Sequence, residues 1–164
     1  SGAAHGIDRP AGVPGGGAHI EDPDSFTFGC VNRAIGKCVI AGYKPWRRAL
    51  ACSPDGSCGQ VSLADHHQAC TRALRADYCG DGVSYTHDGM EINFYDAMGV
   101  RMDSLGWDME AEWDQHGATC VVSERIDNTV PWCMQSLQDP QCGQPDAFDN
   151  GTLLVTEYDA QAPL

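Results

Sequence analysis

A cysteine follows an aspartate and a tyrosine in the stretch RADYCGDG, residues 75–82, at the point where a helical pattern ends. His67 and Cys70 lie one turn apart on the preceding helical stretch. An imidazole beside a thiol can activate it as a nucleophile. The spacing is therefore compatible with a small Cys/His hydrolase, in which Cys70 or Cys79 attacks and His67 and Asp77 assist.

The same cysteines have a structural interpretation, because the chain contains nine and they are scattered. No Cys-x-x-Cys pair is present, which argues against zinc ribbons and thioredoxin-type sites. Scattered cysteines indicate disulfides in an oxidising compartment. The spacings favour four local bridges, although many other connectivities stay open. The local bridges would be Cys30–Cys38, Cys52–Cys58, Cys70–Cys79 and Cys133–Cys142, leaving Cys120 unpaired.

Metal binding is a further alternative for the polar residues. A zinc or copper site would draw on His66, His67, His87 and His116, with Asp77 or Asp81. No His-x-His or His-Glu-x-x-His spacing supports it, and adjacent histidines point about 100° apart on a helix. The Gly-Asp-Gly and His-Asp-Gly stretches lack the acid density of a calcium loop. We therefore expect no metal and no cofactor.

Charge is distributed unevenly along the chain, whose net charge is −13. Residues 26–54 contain five basic and no acidic residues, whereas residues 102–164 contain twelve acids and one base, Arg125. The negative balance argues against a nucleic-acid partner, and no apolar run is long enough to span a membrane. Opposite charges on one chain suggest a protein partner, including a second copy arranged head to tail.

Aromatic residues offer a different binding chemistry. Tyr43 and Trp46 lie next to Arg47 and Arg48, so this segment is a candidate surface for a carbohydrate or peptide, with cation–π contacts. Trp107, Trp113 and Trp132 are further candidates for such a groove.

The first 25 residues differ in composition from the rest. They are rich in glycine and proline and nearly lack large apolar side chains, so they cannot fold alone. We expect this tail to contact either the domain itself or another molecule. Residues 26–164 are predicted to form a single domain.

Hydrophobic periodicity predicts an α+β fold, with one main helix packed on a mostly antiparallel sheet. The helix is expected over 62–79, with Ser62 as N-cap and Gly80 as the left-handed C-terminal cap. Residues 47–60 are predicted to be a loop. Strands are expected at 26–30 and 37–46, in a hairpin of 83–86 with 90–96, in a hairpin of 109–114 with 118–126, and at 152–158.

Several separated motifs resemble the ADYC domain family, named after Ala76, Asp77, Tyr78 and Cys79. They are FTFGCVNRAIGKCVIAGYKPW and HHQACTRALRADYCGDGVSYTHDGMEINFYDAMGV, and the resemblance extends over about residues 26–125. It implies an exported bacterial protein from a largely myxobacterial family, cross-linked by disulfides, and it implies no activity.

These observations lead to three hypotheses. The first is an exported, disulfide-stabilised structural or interaction domain without catalysis, which assembles into a homo-oligomer or filament through its tail, its last strand or its complementary charges. The second is the small Cys/His or metal-dependent hydrolase. The third is a carbohydrate- or peptide-binding module. The expected location is extracellular, on the cell surface or periplasmic, after removal of a signal peptide.

Overall fold

The computed structural model describes residues 33–53, 55–87, 90–101, 103–126 and 129–160. Three α-helices, one 3₁₀ turn and six strands lie in this part of the chain. They are α1 (Ala34–Ala41), β1 (Arg48–Cys52), β2 (Cys58–Ser62), α2 (Ala64–Arg75), β3 (Ile92–Tyr95), β4 (Asp108–Asp114), β5 (Gly117–Val121), α3 (Met134–Leu137), the 3₁₀ turn Ala147–Asn150 and β6 (Leu154–Tyr158).

Four of the strands form an antiparallel sheet in the order β3-β6-β4-β5. The predicted hairpin of β4 with β5 is confirmed, and so is the last strand, β6. However, β6 lies inside the sheet, where β3 and β4 already pair with its two edges. The expectation that the last strand adds to a neighbouring copy is therefore wrong, since no free edge remains on it.

Helix α2 packs against the sheet through β4, β5 and β6, and α1 packs against α2. Tyr78 stacks on Trp113 of β4, with ring centroids 5.4 Å apart, in the core between helix and sheet. The α+β class is confirmed, with α2 as the longest helix of the described residues. None of the helices in those residues has the length and apolar composition of a membrane span.

The predicted buried strand at 37–46 is wrong, because its first half belongs to α1. Ile35, Cys38 and Val39 are buried at helical spacing, and Gly42 ends the helix at a φ of 115°. A short apolar run has no period that separates a buried strand from a buried helix. Packing against α2 decides this segment in favour of a helix.

The predicted loop at 47–60 is instead an antiparallel hairpin, β1 with β2, in which Cys52 pairs opposite Cys58. None of its ten strand residues is buried, so no hydrophobic alternation identified it in the sequence. The predicted pairing of 83–86 with 90–96 is also wrong, because β3 pairs with β6. The strand expected at 26–30 and the turn at 88–89 lie outside the described residues.

Four disulfides cross-link the described residues: Cys38–Cys70, Cys52–Cys58, Cys79–Cys133 and Cys120–Cys142. The predicted Cys52–Cys58 bridge is confirmed, whereas the other three local pairings are wrong. Packing of α1 on α2 brings Cys38 to Cys70 across 32 residues, and Cys120 of β5 is bonded to Cys142 in the segment after α3. Cys120 is thus paired, and Cys30 lies outside the described residues.

Candidate functional site

The Ala-Asp-Tyr-Cys motif begins where α2 ends. Ala76 takes the left-handed conformation, with φ 50°, and its N–H donates to the carbonyl of Ala73. The sequence placed this cap at Gly80, four residues later. Gly80 is needed for a different reason: a side chain there would collide with the carbonyl of His116, 1.7 Å from an ideal Cβ. The helix therefore ends before the motif, and the glycine admits a close backbone contact.

Asp77 fixes the turn that follows the helix. Its carboxylate is 1% exposed, and it accepts a hydrogen bond from Arg72 Nη1 at 2.6 Å and from the N–H of Gly82 at 3.0 Å. Arg72 Nε donates in turn to the carbonyl of Gln115 at 2.8 Å. This ion pair joins the end of α2 to the Gly-Asp-Gly turn and to the β4–β5 turn. The acid candidate of the hydrolase hypothesis thus has a structural partner.

Tyr78 belongs to a buried polar network with Glu110 of β4 and Arg125. Its hydroxyl donates to Glu110 Oε1 at 2.7 Å and accepts from the backbone N–H of Arg125 at 3.0 Å. Arg125 binds both oxygens of Glu110, at 3.1 and 2.9 Å, and both side chains are fully buried. Burial, followed by the charge of Glu110, raises the pKa of Tyr78 far above its usual value. The phenol therefore stays protonated and acts as a donor.

Arg125 also donates hydrogen bonds to carbonyl groups at the C-terminal end of α2. Its guanidinium donates to two carbonyls of the last helical turn, those of Ala73 at 2.7 Å and Leu74 at 3.2 Å. Carbonyls at the end of a helix need donors from outside the regular helical pattern. The positive charge is favourable at the negative end of the helix dipole. In the sequence Arg125 is the one base of an acidic half, and no role is evident there because its partners on α2 lie about 50 residues upstream.

Both cysteine candidates of the hydrolase hypothesis are engaged in disulfides. Cys70 is bonded to Cys38, and Cys79 is bonded to Cys133. The attacking species in cysteine catalysis is a thiolate, which a disulfide sulfur cannot supply. His67 therefore lies on the same helix as a cross-linked cysteine, and no cysteine of the described residues offers the imidazole a free thiol.

His67 is fully buried, and its Nδ1 lies 2.9 Å from the carbonyl oxygen of Tyr43. Its Nε2 has no hydrogen-bond partner among the described residues. Burial lowers the pKa of His67 to about 4, although the contact with Tyr43 opposes this shift. The imidazole is therefore neutral at physiological pH, and Nδ1 carries its proton. The hydrogen bond from Nδ1 joins α2 to Tyr43, just after α1.

The histidines do not gather around a metal site in the described part of the chain. His87 and His116 are exposed, whereas His66 and His67 lie on α2. The close group of possible ligands found there consists of Glu112, Cys120 and Cys142. The two sulfurs of this group are bonded to each other, and Glu112 accepts from Gly143 N–H and Thr152 Oγ1. The arrangement is a structural junction rather than a set of open ligands.

The aromatic candidates divide into core and surface residues. Tyr43 is buried and donates its hydroxyl hydrogen to Asp96, and Trp113 Nε1 donates to Thr156 at 2.8 Å. Neither can line a surface groove. Trp46 is 39% exposed, while Trp132 is 75% exposed with its Nε1–H donated to Asp81 at 2.8 Å. The structure therefore separates Tyr43 from the exposed residues Trp46, Arg47 and Arg48.

The most exposed element is the β1–β2 hairpin. Leu50 is 58% and Val61 37% exposed, and no other strand of the described residues pairs with either of its edges. Lys44, Arg47 and Arg48 are exposed where the hairpin begins. An isolated two-stranded hairpin is marginally stable in water, so the Cys52–Cys58 bridge near its tip is needed to hold it.

A family model described as the ADYC domain matches residues 11–127, which confirms the resemblance and begins fifteen residues before the predicted start of the domain. No curated protein and no solved structure matches the chain.

Proposed function

The chain belongs to the ADYC domain family, and we propose that it is an exported interaction domain, without catalysis, that associates with further copies of itself. Four disulfides cross-link the part of the chain that the structure describes, and they indicate an oxidising compartment outside the cytosol. Within that setting we assign it to the extracellular space, the cell surface or the periplasm.

The absence of catalysis is supported by the partners of the motif residues. Asp77 holds a turn, Tyr78 donates to Glu110, and Cys79 is cross-linked to Cys133. These three side chains of the motif are thus used to join α2 to the sheet and its loops. These structural contacts account for the residues of the motif without a catalytic role.

Association is supported above all by the exposed hairpin and by the basic residues Lys44, Arg47 and Arg48 at its start, on a chain of net charge −13. The segment between α3 and β6 carries three exposed carboxylates, those of Asp139, Asp146 and Asp149. We assign Arg47 and Arg48 of one copy to this acidic segment on its neighbour. Complementary charge across an interface favours one orientation and accelerates encounter.

Charge reversal tests this contact. We expect the native protein to self-associate in sedimentation equilibrium, and R47E/R48E and D146K/D149K each to weaken association about tenfold or more. An equimolar mixture of the two variants should associate again, because the charges are then complementary in the opposite sense. The mixture distinguishes a specific contact from a general effect of net charge.

The control is R33E/K37E at the start of α1, which changes the net charge by the same amount as R47E/R48E. This control variant should self-associate more tightly than R47E/R48E, because the proposed contact uses Arg47 and Arg48. A native protein that stays monomeric at high concentration would exclude the proposed association, as would a mixture that behaves like its two components.

A further inference from the structure

A cleft of about 490 Å³ opens between α1, the end of α2 and β3. Its surface is largely apolar, and α1 contributes Ile40, which is 61% exposed. Removal of apolar surface from water favours the binding of a ligand with apolar side chains. The large apolar side chains of the cleft are those of Ile40, Leu74, Met90, Ile92, Phe94 and Trp107.

Two cations and one acid complete the lining. Lys37 is exposed on α1, one turn before Ile40, and the guanidinium of Arg101 lies 4.6 Å from the ring centroid of Phe94. The acid is Glu91. A ligand that suits these walls has aromatic or aliphatic side chains for the apolar surface and carboxylates for the two cations.

The sequence just before α1 has this chemistry. Residues 20–28 read IEDPDSFTF, in which three carboxylates are followed by two phenylalanines. The ADYC family match begins at residue 11, so this stretch belongs to the family domain. It lies outside the described residues, and it precedes the helix that forms one wall of the cleft.

The length of the connection permits the contact. Lys37 and Ile40 lie four and seven residues beyond Arg33, which is about 6 to 11 Å along a helix that rises 1.5 Å per residue. Residues 29–32 can extend over about 13 Å at 3.3 Å per residue. The chain that precedes α1 can therefore turn back and reach the cleft.

We propose that the cleft binds residues 20–28 of the same chain. The two phenylalanines cover the apolar wall around Ile40, and the carboxylates pair with Lys37 and Arg101. The contact is intramolecular, and it does not depend on the association proposed above.

Limited chymotrypsin digestion of the full chain tests the proposal, because the protease cleaves after Phe26 and Phe28 only when they leave the cleft. We expect slow cleavage there in the native protein. I40D should accelerate it about tenfold, since a carboxylate replaces the apolar wall. L50D is the matched control, because Leu50 is almost equally exposed but lies on the hairpin; it should leave the cleavage rate unchanged.

A charge exchange provides a second readout that a general loss of stability would not reproduce. K37E should accelerate cleavage after Phe28, and D22K/D24K added to K37E should slow it again. Cleavage that is equally fast in the native protein and in I40D would overturn the proposal. Protection that increases with protein concentration would also overturn it, because the segment would then come from a second copy.

Discussion

The Ala-Asp-Tyr-Cys motif acts as a connector at the scale of single residues. Tyr78 and Glu110 reach Arg125, which in turn satisfies the last carbonyls of α2. A buried ion pair contributes little net stability compared with apolar residues of similar volume, but removal of one partner leaves the other charge buried and unpaired. The network therefore couples the stability of α2 to that of the sheet and of the chain segment after β5.

We expect E110A to lower the free energy of unfolding by about 3–5 kcal/mol, because it leaves Arg125 buried without its carboxylate. The double variant E110L/R125M should be less destabilised than E110A, since both charges are removed together. Chemical denaturation of the oxidised protein measures these values. E91A, at an exposed carboxylate, is the control and should change the free energy of unfolding by less than about 0.5 kcal/mol.

His67 provides a pH dependence of stability. Its pKa is about 4 in the folded protein and 6.5 as the ordinary value, so the unfolded chain takes up a proton at higher pH than the folded one. Stability should therefore decrease as the pH falls from about 6.5 to about 4, by up to about 3 kcal/mol from this group.

H67Q should lose less stability than the native protein over the same pH range, because its side chain does not titrate. Thermal unfolding between pH 4 and pH 7 measures the difference, and H87Q, at an exposed histidine, serves as control. An identical acid dependence of H67Q and the native protein would contradict this role for His67.

At the scale of elements, the hairpin and the body of the protein differ in how they are stabilised. The β1–β2 hairpin buries none of its strand residues and relies on its own hydrogen bonds and the Cys52–Cys58 bridge. Helices α1 and α2 share a buried bridge, Cys38–Cys70, within the core. Loss of the first bridge should act locally, whereas loss of the second should act on the whole fold.

We expect C52A/C58A to increase amide exchange within 48–62, while the free energy of global unfolding changes by less than about 1 kcal/mol. C38A/C70A should lower the free energy of global unfolding by about 2–5 kcal/mol. Hydrogen-exchange mass spectrometry and chemical denaturation separate these outcomes. An equal global destabilisation by both pairs would show that the hairpin folds together with the core.

At the scale of the whole molecule, the basic residues at the start of the hairpin and the acidic C-terminal half define two different surfaces. A contact between unlike surfaces is heterologous, so it repeats from copy to copy and does not close as a two-fold dimer does. The proposed association should therefore give species larger than dimers as concentration rises in the sedimentation experiment. Added salt should weaken it, since exposed charges are screened over about 10 Å at 0.1 M.

The sequence by itself determined the features that depend on composition or on neighbouring residues. Nine scattered cysteines indicate disulfides, the motif order identifies the family, and local alternation with a His-Gly turn predicts the β4–β5 hairpin. Charge asymmetry is likewise a property of the sequence. These features need no knowledge of which distant segments meet.

Tertiary structure alone decided the pairing of Cys38 with Cys70, the helical state of residues 34–41 and the role of Arg125. Each depends on contacts between segments tens of residues apart, whereas sequence periodicity reports only which face of a segment is buried. The exposed hairpin was missed for the opposite reason: it buries no face, so it leaves no hydrophobic pattern. The cleft beside α1 exists only because three separate segments of the chain converge there.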